Sequence, residues 1–279
     1  MPIHDQSYRR YAGPRDEPGH AWTVIAWAGI RSMITKRMFI GLLIFAWIPF
    51  IVRAVQTYIA ANFPQASMLQ PTVETYREFI DQQGAFVFFV TIYVGAGLVA
   101  NDRRANALQI YLSKPLMRME YIAGKLMVLG TFLLLVTWLP AMLLLLLQTA
   151  FAGSFAFVRG NLYLLPALTL STLLQVLVAS FTMLALSSLS NSSRYVAVLY
   201  AGAVFFTEAM FGVLTAITGS TAVSWVSFSA NLAQVVDVVF RLTPRYDTPW
   251  IVSLLVVVGL VVLSMSVLER RVRGVEVVT

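Results

Sequence analysis

Six stretches of this chain hold too much hydrocarbon and too little charge to face water along their length: about 38–60, 84–100, 121–149, 161–188, 195–217 and 250–268. A helix crosses a bilayer core with about 20 apolar residues, and most of these runs reach that length. Of 279 residues, 58% are hydrophobic and 12% charged, where an ordinary soluble domain carries about 25% charge. A water-soluble globule of this size could not hide so much apolar surface. The pattern predicts an all-α polytopic membrane protein with a six-helix transmembrane domain over 38–268, a cytoplasmic N-terminal segment over 1–37 and a cytoplasmic tail over 269–279. The second span is short, and helix is expected to continue past Val99-Ala100-Asn101. Pro49, Pro140 and Pro166 fall inside spans, where neighbouring helices can satisfy the carbonyls that a proline frees.

Lys and Arg set the orientation, because loops kept on the cytoplasmic side are enriched in them. With the N-terminus inside, fifteen of the twenty basic residues fall on the inner side, and only Arg53, Arg77, Arg159, Arg241 and Arg245 lie on or toward the other. Both termini are therefore expected in the cytoplasm. The first twenty residues hold Asp5, Asp16 and Glu17 without an apolar core, which does not fit a cleavable signal peptide.

Before the first span, Trp22, Ala26, Ile30 and Met33 share one helical face, flanked by Trp27 and Ile34, while Arg31, Ser32, Thr35 and Lys36 lie opposite. Tryptophans on an apolar face and cations on the other describe an interfacial helix touching membrane lipids. The alternative is an extended start of the first span. Outside, Pro71-Thr72 opens a helix with Val73, Tyr76 and Ile80 at helical spacing. "SANLAQVVDVVFRL" reads as a short helix, apolar at Leu232, Val235, Val236, Val239 and Phe240 and polar at Asp237 and Arg241, sunk in the outer leaflet or packed on the bundle. Two charges sit inside spans. Arg53 lies about fifteen residues into the first and Glu208 about fourteen into the fifth, so at ~1.5 Å per residue they reach similar depth. Charges at such depth are usually paired or face water. One expectation is that Arg53 and Glu208 form an ion pair or line one polar path, within a protomer or between two; the other is that Arg53 snorkels to the headgroups while Glu208 is protonated or bonded to a neighbour.

Several chemistries are excluded. Cysteine is absent, and His4 and His20 are the only histidines, both in the polar N-terminal segment; no thiol nucleophile or zinc site is available, and no metal site is expected. Gly124-Lys125 is followed by Leu126 with no glycine five residues before, so there is no phosphate-cradling P-loop. An intramembrane enzyme would lack its base and nucleophile, so no catalytic residue is assigned. The net charge of +7 is accounted for by topology and does not call for nucleic acid.

The densest charge lies in "GLVANDRRANALQIYLSKPLMRMEYIAGKL", residues 97 to 126, between the second and third spans. Helix is expected from Asp102 to Tyr111, a break at Ser113-Lys114-Pro115, and a new helix from "LMRMEYIAGKL" into the third span. Leu108, Tyr111 and Leu112 stand among Arg103, Arg104, Lys114 and Arg118. Apolar anchors ringed by arginine suit a protein interface; a basic loop held at anionic headgroups is the alternative.

This stretch resembles the signature region of ATP-binding-cassette transporter permeases of the type-2 exporter class. There an apolar span, an acidic-basic turn, a helix ending in "L-L-S-[RK]-P", an aromatic residue and "GK" follow one another. The matching positions are Asp102, Arg103, Tyr111, Leu112, Ser113, Lys114, Pro115, Arg118, Tyr121, Gly124 and Lys125. Met117-Arg118-Met119 departs from the family's usual small polar residue before the arginine. Interfacial helix, six spans and two inner termini extend the likeness more loosely over the chain. The resemblance implies that residues 101–120 form a coupling helix seated in an ATPase groove. It implies two separate ATPase subunits that bind ATP and Mg2+, with no cofactor on this chain, and a second permease copy or homologous permease. It also implies a prokaryotic plasma membrane, and it leaves room for an extracytoplasmic accessory protein. Two other readings stay open: an ABC-type subunit that transmits force or a signal to an outer partner, and an ATP-independent secondary transporter. The substrate is not legible.

Overall fold

The computed structural model describes residues 20–107, 117–153 and 155–272. The chain is an all-α, multi-pass membrane protein. No strand occurs among the described residues, and six helical rods are long and apolar enough to cross a bilayer. They are Arg37–Asn62, Val73–Arg104, Arg118–Ala152, Leu164–Leu189, Ser193–Thr218 and Trp250–Arg271, all close to their sequence-predicted bounds except the second.

The second span is long because the outer helix expected at Pro71-Thr72 and the apolar run are one rod. Its first helix, Val73–Val90, starts at Thr72, whose N–H donates to Thr75 Oγ1 at 3.1 Å. Tyr76 and Ile80 are buried, as their spacing implies. Glu74, Arg77, Glu78 and Asp81 on the outer half hide this continuity from a hydropathy reading, yet three of the four are ion-paired to neighbouring elements.

The second, third and fourth spans make the core. In each, 56% of the most apolar window is buried, against 11% in the first and fifth and 22% in the sixth. Val90, Val94, Leu129, Leu133, Met183 and Leu184 interlock there. The first and fifth spans flank the second through Phe45–Phe86, Phe88–Tyr200 and Phe88–Phe205 ring contacts. Pro49 and Pro140 follow breaks at Trp47 and Thr137 that divide the first and third spans into two helices each. Pro166 breaks nothing, because it stands in the first turn of Leu164–Leu189, where an N–H has no intrahelical partner in any case.

The segment expected to be interfacial is a helix of its own, Ala21–Ile34, which ends before the first span begins at Arg37; it is not an extended start of that span. Ala26, Ile30 and Met33 pack inward with Ile25, while Trp27, Arg31 and Lys36 are exposed and Trp22 is half-buried.

On the outer side, Phe228–Val239 packs across the sixth, fourth and fifth spans and the outer half of the second. This decides for packing on the bundle. Ser227 Oγ caps it by accepting from the Ala230 N–H at 2.9 Å. Asp237 was expected on the helix's polar side, but it is fully buried. Arg245 donates to Asp237 from Nε at 2.9 Å, Nη2 at 2.7 Å and its backbone N–H at 3.1 Å, and Arg77 approaches at 3.3 Å. Arg245 also bridges to Asp81 at 2.9 Å. Its guanidinium is held cationic more firmly than an ordinary arginine's, first by the Asp237 hydrogen bonds.

The expected Arg53–Glu208 pair does not form within the chain. Because the second span's helix extends outward to Val73, Glu78 reaches Arg53 at 3.1 Å. Glu208 instead accepts from the Ser227 and Ser229 hydroxyls at 2.6 and 2.5 Å and from the Ser229 N–H at 3.2 Å. The polar start of the capping helix is simply nearer than the first span.

A buried carboxylate stripped of one cationic partner is costly. Arg245→Met should lower stability in detergent by about 3–5 kcal/mol, read from denaturant unfolding, and adding Asp237→Asn should restore a large part of the loss.

Candidate functional site

The Arg104 end of the second span is where backbone order, charge and packing meet. After Val90 the rod passes through a π-helical turn, Thr91–Gly95, then irregular turns, and resumes as Ala100–Arg104. Such π turns commonly mark functional positions. The irregularity frees backbone groups in a buried place, and Ser187 of the fourth span takes them up. Its Oγ accepts from the Val99 and Ala100 N–H groups at 3.2 and 3.0 Å and donates to the Ala96 carbonyl at 2.9 Å. Ser187 is fully buried. Nearby, Gly95 admits no side chain: a Cβ would lie 2.4 Å from Met183 Cγ and 3.0 Å from Leu129 Cδ2. The three core spans therefore touch at the break itself.

The charged residues just beyond the break tie the same three spans together. Asp102 accepts from the Tyr121 hydroxyl at 2.7 Å and from Lys125 Nζ at 2.7 Å. Lys125 also lies over the Tyr121 ring, 5.4 Å from its centroid. Arg103 donates to the Ser188 carbonyl, in the last turn of the fourth span, where unsatisfied carbonyls favour a cation. Four positions of the quoted motif, Asp102, Arg103, Tyr121 and Lys125, thus form one inter-span clamp. Gly124 serves differently. It is where the interfacial helix crosses the third span: a Cβ there would lie 2.8 Å from Ile25 Cβ and 3.0 Å from the Trp22 carbonyl oxygen. Gly29 faces Val128 in the same crossing, where a Cβ would lie 2.5 Å from Val128 Cγ2. Small residues let two backbones approach closely within a membrane.

Of the helix expected from Asp102 to Tyr111, the residues up to Arg104 are helical. Ala105 and Asn106 make a turn in which Asn106 takes a left-handed conformation, φ 52°, that asparagine tolerates better than most residues, and Ala107 is helical again; residues 108–111 lie outside the described residues. Arg104 is exposed. The expected docking residues Leu108, Tyr111, Leu112, Ser113, Lys114 and Pro115 lie outside the described residues. The chain then re-enters helix at Arg118, as expected, with Met117 N–H donating to Glu120 Oε2 at 3.1 Å. Glu120 does the capping work across the Met117-Arg118-Met119 departure, while Arg118 itself is exposed. Of the interfacial residues, Lys36 reaches over the Tyr93 ring of the second span at 5.9 Å.

Sequence reading missed Ser187 and Ser188. The serine-rich "LSSLSNSS" at the end of the fourth span is the signal that could have shown them. Among the described residues no three His, Cys, Asp or Glu side chains gather as a metal-ligating set. Comparison with known protein families and with curated proteins finds no match to this chain.

Two changes separate the parts of this assembly. Gly124→Leu should push the interfacial helix off the third span, at a cost of about 1–3 kcal/mol from overpacking, and make residues 21–34 sensitive to protease while the six spans stay inserted. A double-mutant cycle of Asp102→Asn and Lys125→Met, followed by thermal unfolding in detergent, should return a coupling of about 1–3 kcal/mol. Independent, additive effects would mean that the clamp contributes nothing as a unit.

Proposed function

We propose that this chain is the permease subunit of an ATP-binding-cassette exporter of the type-2 class in a prokaryotic plasma membrane. Two separate ATPase subunits, binding ATP and Mg2+, supply its energy, and a second permease copy or a homologous permease completes the path. The observation that carries this reading is the clamp of Asp102 by Tyr121 and Lys125. It roots the base of the charged loop in the third span, while Arg103 roots it in the fourth. A loop that merely rests on headgroups would have no need of such anchoring. A loop that must carry motion from a docked partner does, since only a rigid link passes displacement into the spans.

The mechanism follows from that geometry. Closure of the ATPase pair displaces the cytoplasmic foot. The Asp102 and Arg103 contacts carry the displacement into the third and fourth spans, and the Gly124 crossing carries it to the interfacial helix. The second span bends at its Ser187-spliced break, where hydrogen bonds rather than regular helix set the angle. The first and fifth spans, with largely uncovered apolar faces, are left to meet lipid and the second permease.

An ATPase bearing Walker motifs and encoded beside this chain should co-purify with it. Leu112→Asp should abolish co-purification without affecting insertion. Lys125→Met should retain the ATPase but lower permease-stimulated ATP turnover several-fold. Movement of cargo by the purified chain alone, with no nucleotide-hydrolysing partner, would contradict the proposal.

A further inference from the structure

The coupling mechanism makes no use of the elbow where the helix Ala21–Ile34 meets the first span. Arg31 lies in the last turn of that helix, and Lys36 and Arg37 follow across the bend. All three are exposed, and none has a carboxylate partner among the described residues. Lys36 Nζ rests between Met33 Sδ at 3.4 Å and the Tyr93 ring at 5.9 Å, and neither carries a negative charge. The chain nearby supplies none either. No Asp or Glu occurs between Glu17 and Glu74, and residues 1–19 balance three acids with three arginines. Of the acids at the base of the core spans, Asp102 is bound to Lys125, and Glu120 is buried and caps Met117. At the far end of the bundle the arrangement is reversed: Arg53, Arg77 and Arg245 each hold a carboxylate.

The same elbow exposes hydrocarbon. Ala26, Ile30 and Met33, the face expected to meet lipid, pack against the bundle instead. The outward face is left with Val24, Trp27 and Ile34 around Arg31, and Met38 follows at the start of the first span; Trp27 is 68% exposed and Met38 80%. Cations set among bare apolar side chains suit neither water nor hydrocarbon alone. They suit the headgroup layer, where tryptophan and long cationic side chains concentrate. Arg37–Asn62 has 26 residues, against the ~20 that cross a bilayer core, which places its first turn in that layer. An acidic protein surface would match the charge. The exposed flank that continues from Met38 to Ile44 runs into the bilayer, however, where acyl chains and not a soluble protein meet it.

We propose that this elbow binds an anionic phospholipid. Arg31, Lys36 and Arg37 hold its phosphate through charge-assisted hydrogen bonds, and its acyl chains lie along Met38 and Ile44 on the bare flank of the first span. Each cation near an anionic lipid surface strengthens binding about fivefold, equivalent to about 1 kcal/mol, so the three together give about a hundredfold. The site stands on the chain's own residues and does not depend on ATP coupling, so its test needs no ATPase.

The purified full chain in a neutral detergent is titrated with phosphatidylglycerol carrying a fluorescent acyl chain, and in parallel with phosphatidylcholine carrying the same chains. Saturable binding is expected, with a preference for phosphatidylglycerol of about tenfold or more that erodes as salt rises from about 0.05 to 0.5 M. Changing Arg31, Lys36 and Arg37 together to Gln should abolish the preference and leave the unfolding temperature unchanged, because the three side chains are exposed. Lys36→Arg keeps the charge and should keep the preference, as should Arg159→Gln, which removes an exposed cation at the far end. If the triple variant does not fold, the three single changes to Gln decide, each expected to cost about fivefold. Equal affinity for the two lipids would leave the patch to an acidic protein surface and overturn the proposal. So would an undiminished preference in the triple variant, or in all three single variants.

Discussion

A helix that breaks inside a bilayer must find partners for the backbone groups it frees, because no water is present to take them. The second span breaks between Gly95 and Ala100, and Ser187 meets the need with one side chain, accepting two N–H groups and donating to one carbonyl. The rest of that half of the bundle depends on the interaction. It permits the change in helix direction that sets Asp102 against Tyr121 and Lys125. It also brings the second span against the fourth, so that Arg103 can close on the Ser188 carbonyl. Remove the splice, and the charged turn has no fixed position from which to reach either neighbour.

Two polar assemblies therefore bracket an apolar middle. The inner one, built on Asp102 and Ser187, joins the three core spans where the charged loop leaves them. The outer one, built on Asp237, joins the capping helix to the second span through Arg245, Arg77 and Asp81. Between them Val94, Leu129, Phe132, Leu133 and Met183 pack without polar contacts of their own. The hydrophobic effect gives no drive for helix association in lipid, so the polar brackets and the close packing at Gly95, Gly124 and Gly29 fix which helices meet and at what register.

What the sequence disclosed follows from the range of each interaction. Span positions, the helix start at Thr72 and the apolar face of Ala21–Ile34 are local, periodic signals, and all appear in the structure. Long-range polar partners are not local. Arg53 and Glu208 share a depth, and depth alone pairs them; the structure gives each a closer partner, because Glu78 rides on a helix that hydropathy had cut short and Ser227 and Ser229 begin a helix facing the fifth span. Asp237 reads as a surface acid until Arg245, eight residues later, folds back onto it. Of the clamp, Asp102, Arg103, Tyr121 and Lys125 stand out in the sequence as a motif, as does Gly124 at the helix crossing. Ser187 does not, since a serine near a helix end says nothing of what it meets.

If the charged foot is rooted as described, and the proposed partner ATPase closes beneath it, the foot and the core spans move as one body. Pulsed electron resonance can read this from spin labels at Arg104 and Asn191, in the reconstituted complex with and without a trapped nucleotide. One narrow Arg104–Asn191 distance, unchanged between the two states, is expected, while the Arg104 separation between the two permease copies shifts. A broad or nucleotide-dependent Arg104–Asn191 distance would contradict it, because the foot would then move apart from the spans it is held to drive.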